Sequence, residues 1–177
     1  MHTFISGGCK NGKSYYAQHI ARAQGAPLYY VATMISTGAE DDARIARHIR
    51  DREGWGFTTI ECGRNILSCL DRADPNGSYL LDSVTALLAN EMFADVGFDA
   101  DAGLRVADQL TEFLRRTKSA VLVSDYIYGD ARRFDTWTEN YRRALAHVDR
   151  ALAAVCDNVL EVSSGCVICH KGGRPLE

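Results

Sequence analysis

The sequence predicts an α/β fold, in which a mostly parallel sheet carries helices on both faces and a pair of strands closes the chain. Three observations predict it. Short apolar runs alternate with helical patterns along the whole length. A glycine-rich loop, Gly7-Gly8-Cys9-Lys10-Asn11-Gly12-Lys13-Ser14, joins the first apolar run to the first helical pattern. The 177 residues hold no repeat, no low-complexity tract and no linker rich in Pro, Gly or Ser, so 1–177 reads as a single domain.

The elements follow in order. Residues 3–6 form a short buried strand, and 14–23 (SYYAQHIARA) are good helix formers. Residues 27–32 give a second strand, 41–53 a helix, and 57–61 and 78–82 two more strands. Helices over 84–94 and 102–117 come next, the second carrying Leu104, Ala107, Leu110 and Leu114 at helical spacing. Residues 119–124 (SAVLVS) are an apolar strand running into Asp125. Tyr141, Leu145, Val148, Leu152 and Val155 mark one face of a long helix. Residues 159–163 and 166–170 are expected to pair as a hairpin over Ser164-Gly165. In such sheets ligands bind beyond the carboxyl ends of the strands, so the loops after Ser6, Ala32, Asp82 and Ser124 are where chemistry is expected.

Composition narrows the function classes. The chain is 46% hydrophobic and 24% charged, enough to bury a sizeable core. Its net charge of −3 argues against a broad surface for nucleic acid or anionic membrane. No apolar run approaches membrane-spanning length, and the first strand begins too early to leave room for a signal peptide. Six cysteines without a leader are expected to be free thiols, and the location expected is cytoplasmic.

The loop fits G-x-x-x-x-G-K-S, the phosphate-binding spacing. Glycines let successive backbone N–H groups turn inward around an anion, and Gly7, Gly8, Cys9, Lys10, Asn11 and Gly12 supply that cradle. Lys13 is placed to reach the β- and γ-phosphates of a nucleotide, and the Ser14 hydroxyl to ligate Mg²⁺. Asp82 ends a strand as Leu80-Leu81-Asp82, the Walker-B pattern that holds Mg²⁺ opposite Ser14. On the helix 41–53, Arg44, His48 and Arg52 stand at i, i+4 and i+8, and Ile45 and Ile49 form the stripe beside them, expected to face the core. Two flanking guanidiniums disfavour imidazolium, keeping His48 neutral and able to attack phosphorus. The same stripe fits a solvated face, with Asp41, Asp42 and Asp51 nearby.

Six segments together resemble a known family. They are GGCKNGKS, VATM, ARIARHIRDREGW, TTIEC, LLDSVTALLANEMF and, near the end, YRRALAHVDRALAAVCDNVLEVSSG. In this order they are similar to the bifunctional adenosylcobinamide kinase/adenosylcobinamide-phosphate guanylyltransferases of cobalamin biosynthesis. The specific part is R-I-x-x-H-x-x-x-R-x-x-W, here Arg44, Ile45, His48, Arg52 and Trp55. The resemblance implies two reactions: phosphorylation of adenosylcobinamide by GTP or ATP, then transfer of GMP to adenosylcobinamide phosphate through a GMP–histidine intermediate. His48 matches that histidine. The resemblance also implies nucleotide contacts at Ala32, Thr33 and Met34, at Ile49, Arg50, Asp51 and Arg52, and at Glu61 and Asp82. It further implies a homotrimer with sites near subunit boundaries. A carboxylate such as Glu61 can accept from guanine N1–H and its amino group, favouring GTP.

The chain departs from the family after the strand 119–124. The family usually carries a T-N-E-V-G-x-G-I-V-P type loop, whereas this chain reads Ser124-Asp125-Tyr126-Ile127-Tyr128-Gly129-Asp130, and Asp149 stands where the family tends to have Asn. The nucleotide half of the pattern is intact, and corrinoid handling is where the departures bear. Asp125 fits either a base for a substrate hydroxyl or a loop cap. Two other readings stay open: another small-molecule P-loop kinase, and a GTP-binding protein without catalysis. Cys166-Val167-Ile168-Cys169-His170 matches the C-x-x-C-H haem pattern, but no export signal accompanies it, and a zinc site there lacks an evident fourth ligand.

Overall fold

The structure, a computed structural model, describes residues 1–94, 97–129 and 131–173, with the side chain of Asp51 outside the described set. The chain runs β1 (His2–Gly7), α1 (Lys13–Ala23), β2 (Leu28–Ala32), α2 (Ala39–Asp51), β3 (Phe57–Glu61), a 3₁₀ segment (Ile66–Arg72) and β4 (Ser78–Asp82). It continues with α3 (Val84–Met92), β5 (Phe93–Ala94), β6 (Gly97–Phe98), α4 (Ala102–Arg116), β7 (Ser119–Val123), α5 (Thr136–Val155), β8 (Asn158–Ser163) and β9 (Cys166–Lys171).

Seven strands form one sheet in the order β3-β2-β4-β7-β1-β8-β9, parallel except for β9, which runs antiparallel to β8. This is the expected α/β architecture with its closing strand pair. Ser164 and Gly165 both take positive φ (52° and 77°), as a two-residue hairpin turn requires. Alternate side chains of the central strands enter two apolar layers. Tyr79 and Leu81 of β4 pack with α3, α4, α5 and the 3₁₀ segment on one face. Leu80 points the other way, to Ile5, Val121, Val123 and the α1 residues Ala17, Ile20 and Ala21. Each fully buried Leu or Ile in these layers contributes about 1.5–3 kcal/mol relative to an exposed one.

Several elements differ from the sequence reading. The helix expected over 84–94 stops at Met92, and Phe93–Ala94 pairs with Gly97–Phe98 as a small antiparallel ribbon. Leu104 is exposed, because α4 buries the stripe Val106, Ala107, Leu110, Phe113 and Leu114 instead. Val155 is also exposed, at the last position of α5. Ile49 does not face the core either and is 54% exposed. The reason is that α2 stands clear of the sheet: Glu40, Asp41 and Asp42 lie in its first turn, near the positive end of its dipole, and its stripe overhangs a cavity. No helix among the described residues is long and apolar enough to cross a membrane.

Candidate nucleotide site

The site begins with the end of β1. Gly7 lies so close to β8 that a Cβ there would collide with the Val162 carbonyl oxygen, so only glycine fits. Lys10 and Gly12 take positive φ (61° and 89°), curling the loop, and Gly12 opens α1 with no side-chain cap and no acidic residue in its first turn. The first N–H groups of α1 and the positive end of its dipole are thereby left for an anion. Asn11 Nδ2 donates to the Val162 carbonyl at 3.4 Å and ties the loop to β8.

The strand register sets the rest. Glu61, Ala32, Asp82 and Val123 are mutual partners across β3, β2, β4 and β7, so they form one row at the carboxyl edge of the sheet. Glu61 and Asp82 stand two strands apart, about 10 Å at the usual strand spacing. Both line a cavity of about 570 Å³, within the usual size of ligand pockets. Its floor is the loop from Cys9 to Ser14 with Ala32, and its roof is α2 through Arg44, Arg47 and His48.

Arg52 and Trp55 explain the long motif on α2. The Arg52 guanidinium is buried 3.4 Å from the centre of the Tyr30 ring and donates to the His48 carbonyl at 2.7 Å. The Tyr30 hydroxyl donates to Asp82 Oδ2 at 3.0 Å, so a continuous bridge links the C-terminal turn of α2 to the acidic end of β4. Trp55 packs edge-on against His19 of α1 at 4.8 Å, with Arg22 above its ring. Arg44, Ile45, His48 and Arg52 line the cavity, and Arg52 and Trp55 also fasten their helix in place.

Burial holds the His48 imidazole below its usual pKa. The Asp82 carboxylate pulls it up, and Arg44, Arg47 and Arg52 push it down. The expected neutral imidazole is supported, but burial rather than flanking cations is its first cause. Arg47 is a third cation absent from the i, i+4, i+8 stripe, though at i+3 from Arg44 it belongs to the same helix face.

Asp125 completes the ring. Lys13, almost fully buried, donates to Asp125 Oδ1 at 2.8 Å and to the Gly8 carbonyl at 2.7 Å. The segment carrying Asp125 is pinned beside the phosphate loop: Ser124 N–H donates to Ile5 O and Tyr126 N–H to Gly7 O, each at 2.9 Å. Behind it, Asp149 of α5 accepts from Ser124 Oγ (3.1 Å) and the Tyr128 hydroxyl (2.9 Å). Arg142, also buried, donates to the carbonyls of Ile127 and Arg132 and pairs with Glu139. Asp130 lies outside the described residues.

Of the residues expected at the site, Cys9 to Ser14, Ala32, Met34, His48, Arg52, Glu61 and Asp82 line the cavity. Gly7 and Gly8 shape the loop beneath it. Thr33 is fully buried, its hydroxyl exchanging hydrogen bonds with the Ser83 backbone at 2.8 and 2.7 Å, and its placement is that of a brace between β2 and β4. Ile49 and Arg50 point to solvent on the outer side of α2. The side chain of Asp51 lies outside the described set. Away from the cavity, Cys166 is exposed, Cys169 leans on backbone carbonyls, and His170 pairs with Glu161 at 2.8 Å. Among the described residues no group of three or more His, Cys, Asp or Glu side chains is placed to hold a metal ion.

Comparisons with known proteins bear on the fold and on the family. The fold is similar to a KaiC-like protein from Pyrococcus horikoshii OT3 (TM-score 0.54, 12% identity, 97% of this chain and 79% of that one). It is also similar to the RadB recombinase (TM-score 0.52, 15% identity, 99% and 83%). At such identities the likeness speaks for the fold alone. In sequence, the chain is 31% identical over 96 residues to the bifunctional adenosylcobalamin biosynthesis protein CobP of Pseudomonas aeruginosa. That match takes in 54% of this chain and 55% of the relative, so it spans about half of the curated protein's length. The family model described as cobinamide kinase / cobinamide phosphate guanyltransferase matches residues 3–169. The chain belongs to the cobinamide kinase / cobinamide phosphate guanyltransferase family.

Proposed function

We propose that this protein phosphorylates adenosylcobinamide and then transfers GMP from GTP to adenosylcobinamide phosphate, with His48 carrying the GMP. The observation that carries the reading is that His48 and the phosphate loop line the same cavity from opposite sides. Lys13 and the N-terminal N–H groups of α1 bind the phosphates. In the guanylyl step a neutral ring nitrogen of His48 attacks the α-phosphorus of GTP and pyrophosphate leaves. Arg44 and Arg47, on the same roof, offset the charge that gathers on the phosphoryl oxygens. An oxygen of adenosylcobinamide phosphate then displaces the imidazole, giving adenosylcobinamide-GDP.

The residues present fit Mg²⁺. Ser14 and Asp82 bring hard oxygen donors to one cavity, and Mg²⁺ commonly takes one or two protein ligands with phosphates and water filling the rest. When bound, it neutralises phosphate charge and orients the chain of phosphates. Glu61, at the end of the row of strand termini, is the acceptor proposed for the guanine edge. The proposal includes a homotrimer. Trp137, stacked edge-on against Phe98 at 4.4 Å, and the exposed Phe93 and Phe134 leave apolar surface consistent with a subunit contact.

The test is product analysis with adenosylcobinamide, Mg²⁺ and either ATP or GTP. The phosphate ester is expected first, and adenosylcobinamide-GDP only when GTP is present. A protein that forms neither corrinoid product with either nucleotide overturns the proposal.

A further inference from the structure

We infer that Asp125 is the proton acceptor for the substrate hydroxyl in phosphoryl transfer, and that Lys13 holds it in reserve until a nucleotide binds. The inference rests on the kinase half of the function proposed above.

Position comes first. In the sheet β7 lies between β1, which ends in the phosphate loop, and β4, which ends in Asp82. Asp125 lies two residues beyond the end of β7, and its carboxylate, in contact with Lys13, lines the same cavity as Asp82, the acid proposed to face Mg²⁺. A γ-phosphate gripped by Lys13 would come close to the Asp125 carboxylate, which that ammonium now touches at 2.8 Å. The backbone that carries the carboxylate is also held in place. Its own N–H donates to Thr85 Oγ1 at 2.8 Å, and its two neighbours are bonded to the backbone of β1. A general base must be within hydrogen-bond reach of the proton that it takes, and a fixed backbone provides that without a separate ordering step.

Charge comes second. The Asp125 Oδ1 accepts from Lys13, and among the described residues Oδ2 makes no hydrogen bond. An incoming nucleotide brings more negative charge to the Lys13 ammonium than one carboxylate does, and draws it away. Asp125 is then a carboxylate beside a γ-phosphoryl group, a repulsive pair unless a donor sits between them. The acceptor hydroxyl of the substrate is such a donor. In the step inferred, its proton passes to Asp125 and its oxygen forms a bond to the γ-phosphorus. The bond from that phosphorus to the β–γ bridging oxygen breaks, and the electron pair leaves with the nucleoside diphosphate. His48, across the cavity on α2, serves the other reaction. Each chemistry thus has its own group, one on the floor side and one on the roof.

The experiment uses the full chain with adenosylcobinamide and γ-labelled ATP, beside α-labelled GTP without corrinoid. Asp125→Asn is expected to lower kinase kcat by about a hundredfold or more, the usual worth of a general base, with no rise in KM for ATP. Loading of His48 from GTP should fall by less than about a tenth of that factor, and Asp125→Glu should recover part of the kinase rate. A kinase kcat within about threefold of wild type overturns the inference, as does an equal loss in both reactions, which would mark Asp125 as a loop support. Wild-type protein that phosphorylates no corrinoid overturns the functional proposal and this inference with it. Wild-type activity surviving Asp125→Asn overturns the inference alone.

Discussion

Replacing Asp149 with Asn should make the protein more stable, by an amount that grows with pH. Asp149 is 3% exposed on α5; its Oδ2 accepts two hydrogen bonds, while its Oδ1 has no partner among the described residues. Burial pushes its carboxyl up from 3.8 to about 7, with the Asp125 carboxylate adding to the effect and the Ser124 and Tyr128 hydroxyls opposing it. The folded protein therefore holds this proton more tightly than the unfolded chain. The contribution is fully present below about pH 3.8 and is lost as pH rises toward 7. At about 1.4 kcal/mol per pH unit, the ionised group costs the folded state about 4 kcal/mol above pH 7. Asn is neutral throughout, can accept from both hydroxyls through its oxygen, and places an amide at the position of the orphaned oxygen. The assay is urea unfolding of both proteins at pH 5 and pH 8.5. Asp149→Asn should be the more stable, and its advantage should widen by about 3 kcal/mol between the two pH values. A gap that stays constant with pH would refute the reasoning.

Four other outcomes are expected. Arg142→Met should cost about 3 kcal/mol, because three acceptors around Ile127, Arg132 and Glu139 lose a buried cation, and hydrogen exchange at Tyr128 and Gly129 should speed up. Asn90→Leu should cost about 2 kcal/mol in urea unfolding, since Nδ2 donates to the carbonyls of Thr33 (2.7 Å) and Gly63 (2.9 Å), both left unsatisfied. Gly7→Ala should weaken nucleotide binding by about tenfold or more in calorimetry, because its Cβ displaces the loop from Val162; unchanged affinity would show the loop to be more adaptable than its packing implies. His48 should still react rapidly with GTP at pH 6.5, the usual imidazole midpoint, because its pKa is held lower; a rate already halved there would contradict the burial argument.

What the sequence made legible was local. The phosphate loop has a fixed spacing, and His48 and Asp82 each follow from short patterns on a helix and at a strand end. The alternation of apolar runs was enough for the parallel sheet. Contacts between distant segments were harder to read. Lys13 and Asp125 are 112 positions apart, and only the order of strands brings them together. Arg52 is one such case: the helix ends before it and its guanidinium stacks on Tyr30 of β2 while still lining the cavity, a contact that its place in a helical stripe did not foretell. Ile49 and Leu104 show the limit of periodicity. An apolar residue beside a buried stripe faces the core only if something covers that side, and nothing described covers either. The carboxylates Asp125 and Asp149 lie in the stretch where the sequence reading expects the chain to depart from the family pattern.

The central claim is that His48 takes GMP, and labelled GTP tests it most directly. Purified protein is incubated with Mg²⁺ and GTP labelled at either the α- or the γ-phosphate, with His48→Ala as control. The account predicts acid-labile label on the protein from the α position only, absent in the variant. Label from the γ position, label that persists in His48→Ala, or no label from either position would contradict it.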